Sequence, residues 1–160
     1  GLKILRLLGE RFPVKPNIFH MVREIAMTKT AVKGLSDEQL LSLPKMEDKT
    51  KIAAMRMLGS VTFFTFMVQQ EELMVVTFLR MMRITIKHGL CNDTPVAFAT
   101  FGIIVGELGL STAEALRFGN LALRLLTTME NKIQLSRVLG YVTACHSHYE
   151  KPFANVVSSF

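Results

Sequence analysis

Residues 94–129 read TPVAFATFGIIVGELGLSTAEALRFGNLALRLLTTM, and they decide the fold. Asp93 or Thr94 can cap a helix, and Pro95 suits its first turn, where the missing N–H has no partner to lose. Phe98, Phe101, Val105 and Leu108 follow at helical spacing as anchors. Ala97, Ala99 and Gly102 are small enough to let another backbone come close. Ser111-Thr112-Ala113-Glu114 is a capping box that sets the start of a second helix. Its inward face is Ala115, Phe118, Gly119, Ala122, Leu125 and Leu126, with Arg117, Asn120 and Arg124 outward. Two helices joined by a tight turn make a helical hairpin.

Working outward, each neighbouring stretch repeats that plan. Upstream, residues 2–8 place Leu2, Leu5 and Leu8 on one face with Ile4 and Leu7 flanking, and Gly9 ends that helix. The next helix starts near Pro16, carries a stripe of Ile18, Met21, Val22, Ile25 and Ala26, and stops before Gly34. Ser36 with Gln39 is a second capping box, opening a short helix that ends by Pro44. From Asp48 to about Met67, Ile52, Met55, Leu58 and Gly59 recur at helical spacing, with Ala53 and Ala54 permitting close approach. SVTFFTFMV within that stretch has strand-like composition, but the chain offers no partner strand, so it reads as helix. Residues 71–87 are apolar almost all round, which marks a helix sandwiched between neighbours. Thr77, Arg80, Arg83 and Lys87 form its one polar stripe, a narrow wet edge, and Gly89 closes it in a left-handed cap. Downstream, residues 132–149 carry Leu135, Val138, Leu139, Val142, Cys145 and Tyr149 on one face. Pro152 marks a turn, and a further helix begins in the tail.

The spacing gives helix pairs of about 35 to 45 residues, the period of helical repeat arrays. The expected fold is all-α, a superhelix of antiparallel helix pairs with seven or eight helices in one domain over residues 1–160. At this length a chain buries about 70% of its unfolded surface. The apolar fraction of 49% and mean hydropathy of +0.31 are high for a free-standing domain. The chain opens inside a helix and closes in a new element, so it reads as a fragment cut from a longer protein. Bare repeat faces would then explain the apolar excess and give the fragment a tendency to self-associate.

Composition also removes several function classes. The net charge of +6 is spread along the chain, and its densest cluster, Lys45 to Lys51, is interrupted by Glu47 and Asp48. Nucleic-acid binding normally needs a clustered patch. Cys91 and Cys145 match no C-x-x-C spacing, which suits reduced thiols in the cytoplasm. Met57 to Val68 and Pro95 to Gly106 are the longest apolar runs, short of a membrane span. Neither phosphate-loop nor dinucleotide glycine pattern is present. Cys145, His146 and His148 are the one cluster of metal-ligand types, but the two histidines diverge by about 200° on a helix, and Cys145 belongs to the apolar face. Isolated His20 and His88 read as structural or exposed, and Glu71 and Glu72 complement a helix N-terminus. Arg80 and Arg83 are a conceivable anion site, although such a stripe more often is solvated and snorkels. The sequence offers no catalytic, cofactor-binding or metal-binding residue.

The stretch 94–129 resembles a tetratricopeptide-like repeat, with Gly102 in its first helix and Ala115, Phe118 and Ala122 in its second. The Gly102-to-Ala122 spacing is one residue longer than usual, and the early Trp of the family is absent. A more specific resemblance covers most of the chain. LKILRLLGERFP, SDEQLLSLPKMEDKTKIAAMRML, KHGLCNDTPVAFATFGIIVG and ALRFGNLALRLL occur in that order. Together they look like the helical region after the AAA-type ATPase domain of large multidomain serine/threonine-kinase and sensor histidine kinase signalling proteins. That resemblance implies a non-catalytic regulatory, protein-binding segment that touches other domains of its own chain and protein partners. ATP and Mg would belong to other domains, and the output domain would be a histidine kinase or a cyclase. The alternative is the binding scaffold of a transcription activator with the same ATPase-plus-repeat plan.

Overall fold

The computed structural model describes residues 2–13, 15–68, 70–129 and 132–148. These residues form eight helices and no strand: α1 (Leu2–Leu7), α2 (Ile18–Val32), α3 (Asp37–Leu41), α4 (Lys49–Met67), α5 (Glu71–His88), α6 (Thr94–Glu107), α7 (Thr112–Thr128) and α8 (Lys132–His148). The fold is all-α. The chain forms two compact units, Gly1–Asp93 and Thr94–Phe160.

Local chemistry sets most helix boundaries in the first unit. Asn17 accepts from the His20 backbone N–H at 3.2 Å to cap α2, and Ser36 accepts from Gln39 to cap α3, with the Gln39 side chain returning the bond. Asp48 Oδ1 accepts from Thr50 and Lys51 at the start of α4. The aromatic-rich stretch after Gly59 continues α4 to Met67, as its lack of a partner strand requires.

Helix α5 packs against both α2 and α4, the sandwiched position that its apolar girth calls for. Leu79, Met81 and Met82 are fully buried on it, and Met55 and Leu58 are fully buried on α4. A parallel bridge joins Lys45 to Leu90. Met46 donates to the Leu90 carbonyl at 2.7 Å, and Leu90 donates to the Pro44 carbonyl at 2.8 Å. Gly89 makes this possible: its φ is +100°, and a Cβ there would lie 2.0 Å from the Pro44 oxygen. With ψ at −170°, Gly89 leaves the helix in an extended mirror-image conformation, not in the left-handed helical cap expected.

Helix α2 overturns its expected stripe. Ile18, Val22 and Ala26 are exposed, Met21 and Ile25 are half-buried, and the buried residues are Glu24, Thr28 and Val32. Those three recur at i, i+4 and i+8, so they form one stripe, and it is mostly polar. Thr28 donates to the Glu24 carbonyl at 2.8 Å and reaches the Leu79 carbonyl of α5 at 3.4 Å. The cause lies on α5, whose arginines need carboxylate partners if they are to be covered at all.

In the second unit, α6 and α7 form the antiparallel hairpin, and α8 packs against both. Ser111 accepts from the Glu114 N–H at 3.1 Å, which is one half of the expected capping box. Phe98 and Phe101 each meet Phe118 edge-on, with centroids 5.8 and 4.7 Å apart. Burying each ring contributes about 1.5–3 kcal/mol, and an edge-to-face pair adds about 0.5–1.5 kcal/mol. The anchors Phe98, Phe101 and Val105 are buried. Leu108 falls in the turn past the end of α6 and is exposed, contrary to its expected role. Arg117 is half-buried with its guanidinium 5.3 Å from the Phe118 ring, where a fully outward side chain was expected. On α8, Val138 and Val142 are buried while Leu135 and Leu139 are half-buried. The Cys145 side chain, Tyr149 and the tail element lie outside the described residues.

Candidate functional site

The expected wet edge of α5 is a covered ion-pair chain. Thr77 is fully buried and donates to the Leu73 carbonyl at 2.6 Å. Only 18% of the Arg80 side chain and 17% of the Arg83 side chain reach solvent. Lys87 alone in that stripe is exposed.

Two carboxylates cover the arginines. Glu10 follows the end of α1, fixed by its N–H donating to the Leu5 carbonyl at 2.8 Å. Its Oε1 accepts from Lys51 Nζ at 2.7 Å, and its Oε2 accepts from Arg80 Nη1 at 3.0 Å. Glu24, on the inner stripe of α2, accepts from Arg80 Nη2 through Oε1 at 3.1 Å and from Arg83 Nη2 through Oε2. The order Lys51, Glu10, Arg80, Glu24, Arg83 therefore alternates in sign and ties the α1–α2 connection, α2, α4 and α5 together. Both carboxylates keep less than a tenth of their side-chain surface exposed. Arg80 also lies 5.0 Å from the centre of the Phe12 ring, a cation–π contact.

Burial by itself would raise the Glu10 carboxyl. The hydrogen bonds and charges of Lys51 and Arg80 outweigh that effect and hold it below its ordinary value. Burial draws the Arg83 guanidinium below its usual value, opposed by the charge of Glu24.

A cleft of about 390 Å³ opens on this chain. Arg23, Lys51, Arg80, Arg83 and Lys87 line it against Glu10 and Glu24, so three positive charges remain in excess when His88, also at the wall, is neutral. A smaller cleft of about 260 Å³ shares Arg23, Glu24 and Arg80, and adds Arg11, Phe12, Pro13, His20 and Val76. The walls supply charge and apolar surface, which suits binding.

The sequence marks Arg80 and Arg83 as a candidate anion site, and the structure brings them together at Glu24. Their carboxylate partners were not foreseen; Glu10 is 70 residues from Arg80 and Glu24 is 56. His20 turns back onto Asn17 at the start of α2, and His88 ends α5. Glu71 and Glu72 sit exposed in the first turn of α5. Among the described residues, no three His, Cys, Asp or Glu side chains gather as a metal cage. The side chains of Cys145, His146 and His148 lie outside the described residues. No described helix is long and apolar enough to cross a membrane.

No protein-family model, curated protein or solved structure matches the chain.

Proposed function

We propose that this chain is a non-catalytic regulatory and protein-interaction segment of a multidomain ATPase–sensor kinase in intracellular signal transduction. Its helical hairpins would belong to a tetratricopeptide-like superhelix lying between an AAA-type ATPase and an output domain in the cytoplasm. ATP and Mg would act in those other domains. The observation that carries this reading is the outward apolar stripe of α2: Ile18 is 60% exposed, Phe19 80% and Val22 58%. Apolar side chains grouped on one helix face are the kind of surface that meets another protein or another domain. The four segments that resemble the kinase family in order support the same assignment.

The full open reading frame provides the first test. A phosphate-loop ATPase upstream and a histidine kinase or cyclase core downstream are expected. A DNA-binding helix-turn-helix in place of that core would move the chain to the transcription-activator reading. Phe19→Glu with Val22→Glu in the parent protein should then change kinase or cyclase output while far-UV circular dichroism of the segment stays the same. Unchanged output would remove α2 as the interaction face.

A further inference from the structure

We propose that the cleft between α2 and α5 binds a small phosphorylated molecule. This inference stands on the unit Gly1–Asp93 by itself and does not need the signalling assignment.

The charges in the cleft are unevenly matched. Every oxygen of Glu10 and Glu24 is taken, by Lys51, Arg80 and Arg83. Arg23 and Lys87 line the same cleft, and neither forms an ion pair among the described residues. The negative end of the α5 dipole accounts for Lys87 and His88 at that terminus. It does not account for Arg23, which comes from the second turn of α2 and whose charge acts unfavourably on Arg83. A wall that keeps like charges close, beyond what its own carboxylates neutralise, is arranged for an anion.

Pre-organisation points the same way. The carboxylates hold the two guanidiniums by their outer nitrogens, so both are fixed in orientation before any ligand arrives. The Nε donors of Arg80 and Arg83 are buried without an acceptor, an unfavourable state for charged groups. A phosphate monoester carries nearly two negative charges and three acceptor oxygens near neutral pH, enough to offset most of the excess and to engage several donors at once. Guanidinium forks match such oxygens in pairs.

Size selects a small molecule over a bare ion. At about 390 Å³ the cleft falls among ordinary small-ligand sites. The adjoining cleft shares Arg23 and Arg80 and mixes Phe12, Pro13 and Val76 with Arg11 and His20, so the organic part of the ligand would meet both apolar surface and a further cation there.

Titration calorimetry on the whole chain at low ionic strength, with inorganic pyrophosphate and with adenosine monophosphate, tests this. Saturable binding tighter than about 1 mM by at least one probe is expected. Arg23→Gln with Lys87→Gln should weaken it by roughly tenfold or more, about 1.4 kcal/mol. Both residues are exposed, so the double variant keeps the ion-pair chain and its fold. Lys33→Gln with Arg56→Gln makes the same charge change at two exposed residues that line neither cleft, and should leave binding nearly unaltered. Absence of saturable binding by both probes overturns the proposal and leaves the ion pairs with a purely structural role. Equal weakening by the two double variants overturns it too, because general surface charge would then explain the binding. Citrate binding more tightly than both phosphate probes would overturn the phosphate assignment.

Discussion

Replacing Gly102 with alanine adds one methyl group where α6 comes close to the backbone of α7. The new Cβ would lie 2.8 Å from the Ala115 carbonyl oxygen, and 3.5 Å from both the Gly119 nitrogen and the Phe118 Cβ. The nearest atom is backbone, so no rotamer change relieves the clash; α7 must retreat from α6. Overpacking of this kind costs about 1–3 kcal/mol. Alanine also favours the helix over glycine by about 0.8–1.0 kcal/mol. The difference predicts Gly102→Ala to be destabilising by up to about 2 kcal/mol, with Gly102→Leu near or beyond the upper end of the overpacking range. Gly140 on α8 supplies the control, since a Cβ there meets nothing within 4 Å. Gly140→Ala should be stabilising by as much as about 1 kcal/mol through propensity alone. Urea unfolding followed by far-UV circular dichroism, with the m-value checked for constancy, reads both changes. A Gly102→Ala midpoint equal to or above that of the parent chain would refute the close-approach argument.

Two further outcomes follow from the ion-pair chain. Glu24→Gln leaves Arg80 and Arg83 without their shared carboxylate. Losing one partner of a buried pair costs about 3–5 kcal/mol, and the partial exposure of both arginines scales this to roughly 2–3 kcal/mol. A urea midpoint unchanged by the substitution would show that Glu24 makes no net contribution. Acid should also weaken the first unit. Glu10 holds its proton less tightly folded than unfolded, so its contribution is present above the ordinary carboxylate range and is lost as pH falls through its lowered folded value. Urea midpoints taken on descending pH should fall more steeply for the parent chain than for Glu10→Gln; parallel curves would contradict the assignment.

What the sequence conveyed depended on the reach of each interaction. Ser36 with Gln39 and Ser111 with Glu114 are three residues apart, and both mark true helix starts because capping is local. The inner face of α7 was equally legible, since Ala115, Phe118 and Ala122 follow one helical period and meet apolar partners. Helix α2 was not, although its periodicity is just as clear. Hydrophobic periodicity identifies a helix face but cannot say which face is buried when the facing helix carries arginines. Burying Arg80 and Arg83 required Glu24, and turning Glu24 inward placed Ile18, Phe19 and Val22 outside. The candidate site was half legible for the same reason. Its cations stood out on an otherwise apolar helix, while Glu10 and Glu24 gave no local sign of their role.

The short bridge between Lys45 and Leu90 has a mechanical meaning. It joins the chain just before α4 to the chain just after α5, so these two helices hang on a closed loop. Tension that enters before Pro44 and leaves after Leu90 crosses two backbone hydrogen bonds and bypasses both helices. While that clasp is closed, the short path through it runs in parallel with α4 and α5. Once it opens, tension enters α4 and α5 and is resisted by their packing and by the ion-pair chain, so Gly89, whose conformation lets the two segments meet, sets where the load first falls.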